Sequence, residues 1–358
     1  MSLTLTVDGG RWRRHLRGYA EATPGLVPVA KGNGYGFTVG RLARRTRWLA
    51  GRVPGSALDT LAVGAYEELP EAATRFPGSL LVLTPWRPFG AGLALPPALS
   101  RRVVHTVSRV SDLEALLARD PHARVVLELL TSMLRHGMSP AELREAGRVL
   151  SAHRGARLEG VAVHLPLTRR SHLPEMHRLM NDLVGADLGT TTVWVSHLNP
   201  DELGRLRAAY PDFTVRPRVG TALWLGDREA LRVTAPVLDV HEVTMGQSFG
   251  YRGRPAPWRG HLVVVGAGTA HGIGLSAPTG DPSVRARFSA AARGGLDALG
   301  MSRSPFVVDG ALRLFAEPPH MQCSMLLLPH RARVPAVGDE VEARVRFTTT
   351  TFDHIHTT

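Results

Sequence analysis

With 358 residues, 44% hydrophobic content and a formal net charge of +12, the chain has enough apolar material for two domains, or for one large barrel with an addition. Its single cysteine, Cys323, excludes an intrachain disulfide and a cysteine-based zinc site. No apolar run approaches the ~20 residues of a membrane span, and the N-terminal Leu3-Thr4-Leu5-Thr6-Val7-Asp8 followed by arginines is the reverse of a signal peptide, so a cytoplasmic location is expected.

Residues 3–7 alternate apolar and polar, as in a short half-buried strand, and 11–20 follow as a helix. Basic residues are densest at 11–17 and 41–47. Either cluster would suit nucleic acid or an anionic membrane, but both interleave apolar residues at helical spacing and read better as solvated helix faces; no nucleic-acid or membrane partner is expected. Apolar strand candidates then recur at 26–30, 60–63, 79–84, 103–107, 125–130, 160–164, 192–196 and 213–218. Helical patterns lie between most of them, at 39–49, 65–75, 110–117, 141–153, 174–183 and 201–209. Eight strands with intervening helices predict an α/β fold, a (β/α)8 TIM-like barrel over 9–226, with a doubly wound open sheet as the alternative. Beyond Asp227 the runs at 233–243, 261–265, 306–309, 325–328 and 340–347 are strand-like, and 285–299 is the one helical stretch. Residues 1–8 and 227–358 are therefore expected to form a mostly β C-terminal domain, with the tail from 348 lacking a pattern.

The first barrel strand ends in Val29-Ala30-Lys31-Gly32-Asn33-Gly34-Tyr35-Gly36. Lys31 is the only lysine in the chain, against 42 arginines. Guanidinium stays protonated and is a poor nucleophile, whereas a lysine amine can lose its proton and form a Schiff base. Functional groups of such barrels sit at the C-terminal ends of strands. There the sequence also places Arg135 in Thr131-Ser132-Met133-Leu134-Arg135-His136-Gly137, His164, Ser196-His197, and Arg218-Val219-Gly220-Thr221. An amine, two arginines, a histidine and glycine-rich backbone suit an anionic aldehyde cofactor, with phosphate held by backbone N–H groups. Taken alone, His164 reads as a rim histidine, Arg135 as a surface ion-pair partner and Tyr251 as a turn tyrosine. His271 and His320 have no metal-ligand spacing, and no metal is expected.

These motifs resemble the alanine racemase family, fold-type III pyridoxal-phosphate enzymes with a barrel, a β domain and a head-to-tail dimer. Lys31–Gly36 looks like the family's Lys-Ala-Asn-Ala-Tyr-Gly, and Arg218-Val219-Gly220-Thr221-Ala222-Leu223-Trp224 like Arg-x-Gly-Ile-Ala-Leu-Tyr. The resemblance implies that Lys31 holds pyridoxal 5'-phosphate as a Schiff base, with Tyr35, Gly220 and Thr221 as phosphate contacts; Ser196 is a further cofactor-binding candidate. It likewise implies His164 beside the pyridine ring and Arg218 opposite the pyridine nitrogen. Arg135 matches the arginine that helps bind the substrate carboxylate. Gly246-Gln247-Ser248-Phe249-Gly250-Tyr251 resembles the segment bearing the catalytic tyrosine. The implied reaction is two-base racemisation of an amino acid, an isomerase reaction yielding or consuming D-amino acids. Lys31 would act on the D-antipode, and Tyr251, from the partner of a homodimer, on the L-antipode. Other fold-type III reactions, decarboxylation or D-amino-acid lysis, and a turnover-less cofactor-binding protein are the alternatives.

Several positions depart from the family pattern. Glu128 stands where many members carry a carbamylated lysine and is expected to support Arg135 by pairing with it. Gly268-Thr269-Ala270-His271-Gly272 replaces Gly-Tyr-Ala-Asp-Gly, and Cys323-Ser324-Met325 replaces Cys-Met-Asp, leaving Ser324 as a candidate substrate contact. The family's phosphate-binding serine falls near His197-Leu198-Asn199, so that contact is expected to be missing or moved, and no tyrosine follows Tyr251, so the late phosphate-binding tyrosine is absent. The entrance is therefore expected to be more open and the substrate not restricted to alanine.

Overall fold

The protein's structure, a computed structural model, describes residues 2–53, 58–167, 170–275 and 302–358. The chain divides into two compact units. One consists of Arg13–Gly34 and Thr38–Gly226, the other of Met1–Trp12, Tyr35–Phe37 and Asp227–Thr358.

In chain order β1 (Thr4–Val7) and α1 (Gly9–Glu21) precede β2 (Val27–Ala30), α2 (Val39–Ala50), β3 (Thr60–Val63), α3 (Leu69–Ala73), β4 (Ser79–Val82), α4 (Pro97–Ser100) and β5 (Val103–Val107). There follow α5 (Val110–Arg119), β6 (Arg124–Leu129), α6 (Pro140–Ala152), β7 (Arg157–His164), α7 (Leu173–Ala186), β8 (Thr192–Ser196), α8 (Pro200–Ala209), β9 (Thr214–Val219) and α9 (Thr221–Leu225). Strands β2 to β9 form a closed parallel barrel, sealed where β2 pairs with β9. The helices start where the sequence caps them. Ser139 with Glu142 and Asn199 with Glu202 form capping boxes ahead of Pro140 and Pro200, satisfying N–H groups that the first turn leaves unpaired.

Two expectations are corrected in detail. The single helix at 65–75 is instead a 3-10 turn, Tyr66–Glu68, followed by α3, because Pro70 has no N–H and favours a new first turn over a continuous helix. The short α9 was not foreseen; its five residues are too few to show a helical period.

The second unit continues with β10 (Leu231–Val243), β11 (Ser248–Phe249), β12 (Arg254–Pro255), β13 (Gly260–Val265), β14 (Arg303–Val308), β15 (Ala311–Phe315), β16 (Ser324–Pro329), β17 (Glu340–Ala343) and β18 (His354–Thr357). Its sheet runs β13-β16-β15-β14-β17-β10-β1-β18. The alternating β1 pairs antiparallel with β10 and parallel with β18. The supposedly patternless tail thus supplies an edge strand, one whose exposed His354 and His356 hide the apolar alternation. Asp309 and Gly310, both at positive φ, make the two-residue turn that reverses β14 into β15. The helix expected at 285–299 lies outside the described residues. Among the described residues no helix is long and apolar enough to cross a membrane.

Candidate active site

Alternation along the barrel strands selects the residues that face the axis. Val29, Ala62, Leu81, Val104, Val126, Ala162 and Trp194, from seven different strands, pack together as the barrel interior. Arg216 belongs with them, its guanidinium 4.5 Å from the centre of the Trp194 ring. Two residues further along each strand, the same face reaches the C-terminal rim. There it presents Lys31, Gly64, Leu83, Thr106, Glu128, His164, Ser196 and Arg218. The intervening residues Val125, Leu127, Val161, Val163, Val193 and Val195 point outward and pack with α5, α6 and α7.

The rim is rich in cations. Desolvation pushes the Lys31 amine below the ordinary lysine value, and Arg135 and Arg218 push it further, with Glu68 opposing. A lysine so placed gives up its proton more readily and is a better nucleophile. Arg218 is buried and held by Val163, whose carbonyl accepts from Nη2 at 3.0 Å. Burial brings its pKa down to about 10, with Glu128 supporting the charge, so it remains a cation at neutral pH. Its Nε–H is buried without a hydrogen-bond partner. His164 is pushed down to about 3, first by desolvation and then by Arg218 and Arg135, and is neutral. Ser196 Oγ lies 2.6 Å from His164 Nδ1, and Thr131 Oγ1 donates to the His164 carbonyl at 2.8 Å.

Arg135 rides on a pinched loop. Leu130 N–H bonds to Met138 O and Met138 N–H to Glu128 O, and Gly137, at φ 130, lies so close that a Cβ would fall 2.5 Å from Leu130 N. Ser132 ties the loop to Glu175 of α7 through its N–H (2.7 Å) and hydroxyl (2.8 Å). Beyond β9, Gly220 caps α9 and leaves Thr221 exposed, while the Trp224 indole donates to Val29 O at 2.7 Å and fixes α9 beside the strand that bears Lys31.

In the other unit Tyr35 is buried at φ 54, and Gly36 follows at φ 88, packed so closely under Phe352 and Phe347 that a Cβ would meet Phe352 at 2.6 Å. Tyr251 follows Gly250 in the turn between β11 and β12 and is 87% exposed.

Residues 7–187, half of the chain, match the family model for the alanine racemase N-terminal domain. The chain belongs to the alanine racemase family. It is 26% identical over 301 residues to the alanine racemase of Nitratidesulfovibrio vulgaris (strain DSM 19637 / Miyazaki F), covering 76% of this chain and 77% of that protein. Among solved structures it is similar to alanine racemase from Bartonella henselae with covalently bound pyridoxal phosphate, with a TM-score of 0.73, 16% identity and 99% of each chain covered. It is also similar to the E. faecalis enzyme, with a TM-score of 0.68, 19% identity, and 99% of this chain and 98% of that one covered. The barrel followed by a mostly β domain is thus the fold of alanine racemases, which are amino-acid racemases dependent on pyridoxal phosphate.

Against the alanine racemase pattern, two expectations from sequence need correction. Glu128 is buried inside the barrel, but no Glu128–Arg135 ion pair forms among the described residues, and the cation with most influence on it is Arg218, ahead of Arg135. Burial raises its pKa against that pull, and its Oε2 has no hydrogen-bond partner. Ser324 is fully buried and its hydroxyl donates to Ala267 O at 2.7 Å, so its side chain is spent inside the β unit and not on a substrate. The sequence reading also missed Glu68. Its two carboxylate oxygens accept the N–H groups of Gly32 and Gly64, each at 2.6 Å, and so clasp the ends of β2 and β3 beside Lys31. The available signal was an acid four residues after Gly64.

Proposed function

We propose that this chain is a pyridoxal-phosphate-dependent amino-acid racemase that moves the Cα proton with two groups, Lys31 and Tyr251. The observation that carries the reading is the pairing at one barrel rim of a depressed lysine amine with a buried arginine whose Nε–H has no acceptor. That orphan donor fits the acceptor nitrogen of a pyridine ring. When bound, pyridoxal phosphate takes up the electron pair released at Cα and so acidifies the Cα–H.

The chain's own residues supply the rest. Lys31 would hold the cofactor, and its amine would take or return the proton on the D face. Arg218 keeps its proton at neutral pH and can only donate, so it would disfavour protonation of a pyridine nitrogen and limit side reactions such as transamination. His164, neutral and anchored by Ser196, would line the ring without adding a charge. Tyr35, Gly220 and Thr221 are the candidate phosphate contacts, and Ser196 is a cofactor-binding candidate that acts through His164. Arg135 binds the substrate carboxylate. Tyr251, supplied by the other copy of a homodimer, works the L face. Thr269 in place of the family's entrance tyrosine and Met325 in place of its aspartate favour substrates beyond alanine.

The test uses the chain's one lysine. Incubated with pyridoxal phosphate and reduced with borohydride, the protein should gain the mass of one cofactor at Lys31, and Lys31→Ala should gain none. Deuterium should then enter Cα of both enantiomers of the amino acids turned over. A protein that takes up no cofactor would end this reading, and cofactor without exchange would leave a binding protein.

A further inference from the structure

The hairpin carrying Tyr251 gives it little support of its own. Strands β11 and β12 are two residues each, Gly250 and Gly253 turn at φ 71 and 57, and the tyrosine is exposed. A phenol free to change rotamer is a poor acid–base group, because proton transfer depends on direction as well as distance.

The same unit holds an arrangement built around that residue. Glu317 is 4% exposed. One of its oxygens, Oε2, accepts the Tyr251 backbone N–H at 3.1 Å, and the other, Oε1, accepts Nε2–H of His320 at 2.7 Å. The His320 imidazole lies against the Tyr251 ring, with centroids 4.8 Å apart and planes at 52°. The His320 backbone N–H donates to Cys323 O at 2.9 Å, which closes the turn on which the imidazole sits. Cys323 Sγ is 3.7 Å from His320 Nδ1, and burial together with Glu317 raises its thiol pKa, so it stays protonated. Gly250 completes the fit: a Cβ there would fall 2.3 Å from Glu317 Oε2. Burying a carboxylate is costly unless both oxygens are satisfied. Here one oxygen is satisfied by the tyrosine's backbone and the other by the ring on which its phenol rests.

We propose that Glu317 and His320 are positioning residues for Tyr251, fixing its backbone and its ring so that the phenol is presented in one direction as the acid–base group of the L face. The proposal rests on the role given to Tyr251 above, and the experiment separates the two. In deuterated buffer, exchange at Cα of the D isomer requires Lys31 alone, whereas conversion to the L isomer also requires Tyr251. Glu317→Gln and His320→Ala should slow racemisation roughly tenfold or more while exchange into unreacted D isomer continues near the wild-type rate. The ratio of exchange to racemisation therefore rises. His320→Phe, which keeps a ring against the phenol, should recover part of what His320→Ala loses. Unchanged racemisation, or an equal fall in both rates, overturns the proposal, the second by revealing a merely structural role. Tyr251→Phe tests the underlying reading. If it raises the ratio and the Glu317 and His320 variants do not, only the positioning proposal fails. If it racemises like wild type, the assignment of Tyr251 fails as well.

Discussion

Glu68 offers the sharpest test of how the barrel rim is built. Its carboxylate accepts two backbone N–H groups at 2.6 Å and is the one group that raises the Lys31 pKa against burial and two arginines. In Glu68→Gln the amide can accept from only one N–H and turns its own NH2 toward the other. One charge-assisted hydrogen bond is lost and a donor faces a donor, a cost of about 1–2 kcal/mol at this partly solvated site. Removing the negative charge also lets the Lys31 pKa fall further. Denaturant unfolding measures the first effect. The second is read from the pH dependence of borohydride-trapped cofactor, whose lower limb should move to lower pH as the amine loses its proton earlier. An unchanged unfolding midpoint would show that the clasp carries no stability. A limb that stays in place or moves upward would refute the electrostatic coupling of Glu68 to Lys31.

Mixing Lys31→Ala with Tyr251→Phe should restore racemase activity that neither variant has alone, if the two residues come from different copies; no complementation in re-formed dimers would count against a shared site. Across a panel of amino acids, turnover should extend to side chains larger than methyl, and activity confined to alanine would contradict the open entrance attributed to Thr269 and Met325. His105, 2% exposed and bonded to the Tyr66 hydroxyl at 2.7 Å, is pushed down from 6.5 to about 4 by burial. The unfolded chain takes up a proton that the native state refuses, so this stability is present above pH 6.5 and is lost as pH falls toward 4. The loss amounts to about 2 kcal/mol by roughly pH 5, measurable by unfolding at two pH values, and His105→Phe should flatten the slope.

The barrel was legible because its strands are buried on both faces and recur with helices between them. The rim candidates followed from the rule that functional groups sit at the C-terminal ends of barrel strands, and the structure places Lys31, His164, Ser196 and Arg218 at those ends. Glu68 and Glu317 were not legible, because each accepts a backbone N–H distant in sequence, 36 residues away for Gly32 and 66 for Tyr251, and the nearer partner of Glu68, Gly64, is a glycine with no side chain to mark the contact. A carboxylate that recognises backbone leaves no mark on the residue type of its partner. Glu128 was misread for a related reason. Its spacing from Arg135 along the chain suggested a pair, but the loop carries Arg135 out to the exposed rim, while strand alternation points Glu128 and Arg218 into the same buried interior.

The chemistry that calls for a lysine at position 31 calls for an arginine at position 218. Burial brings Arg218 from 12.5 down to about 10. A lysine starts lower, at 10.5, and burial in the same place would push it down from there, so it would lose its charge at a lower pH than the arginine does. Only arginine stays a fixed donor there, and its persistent charge is part of what depresses Lys31. The two positions need opposite chemistry, a cation that keeps its charge through the neutral range and an amine that must give up its proton. Arg218→Lys should therefore lose activity on the alkaline side at a lower pH than wild type does. The pH–rate profiles of the two proteins decide the matter. A variant profile parallel to wild type across that range would mean that the charge at position 218 is not what sets the behaviour of the site.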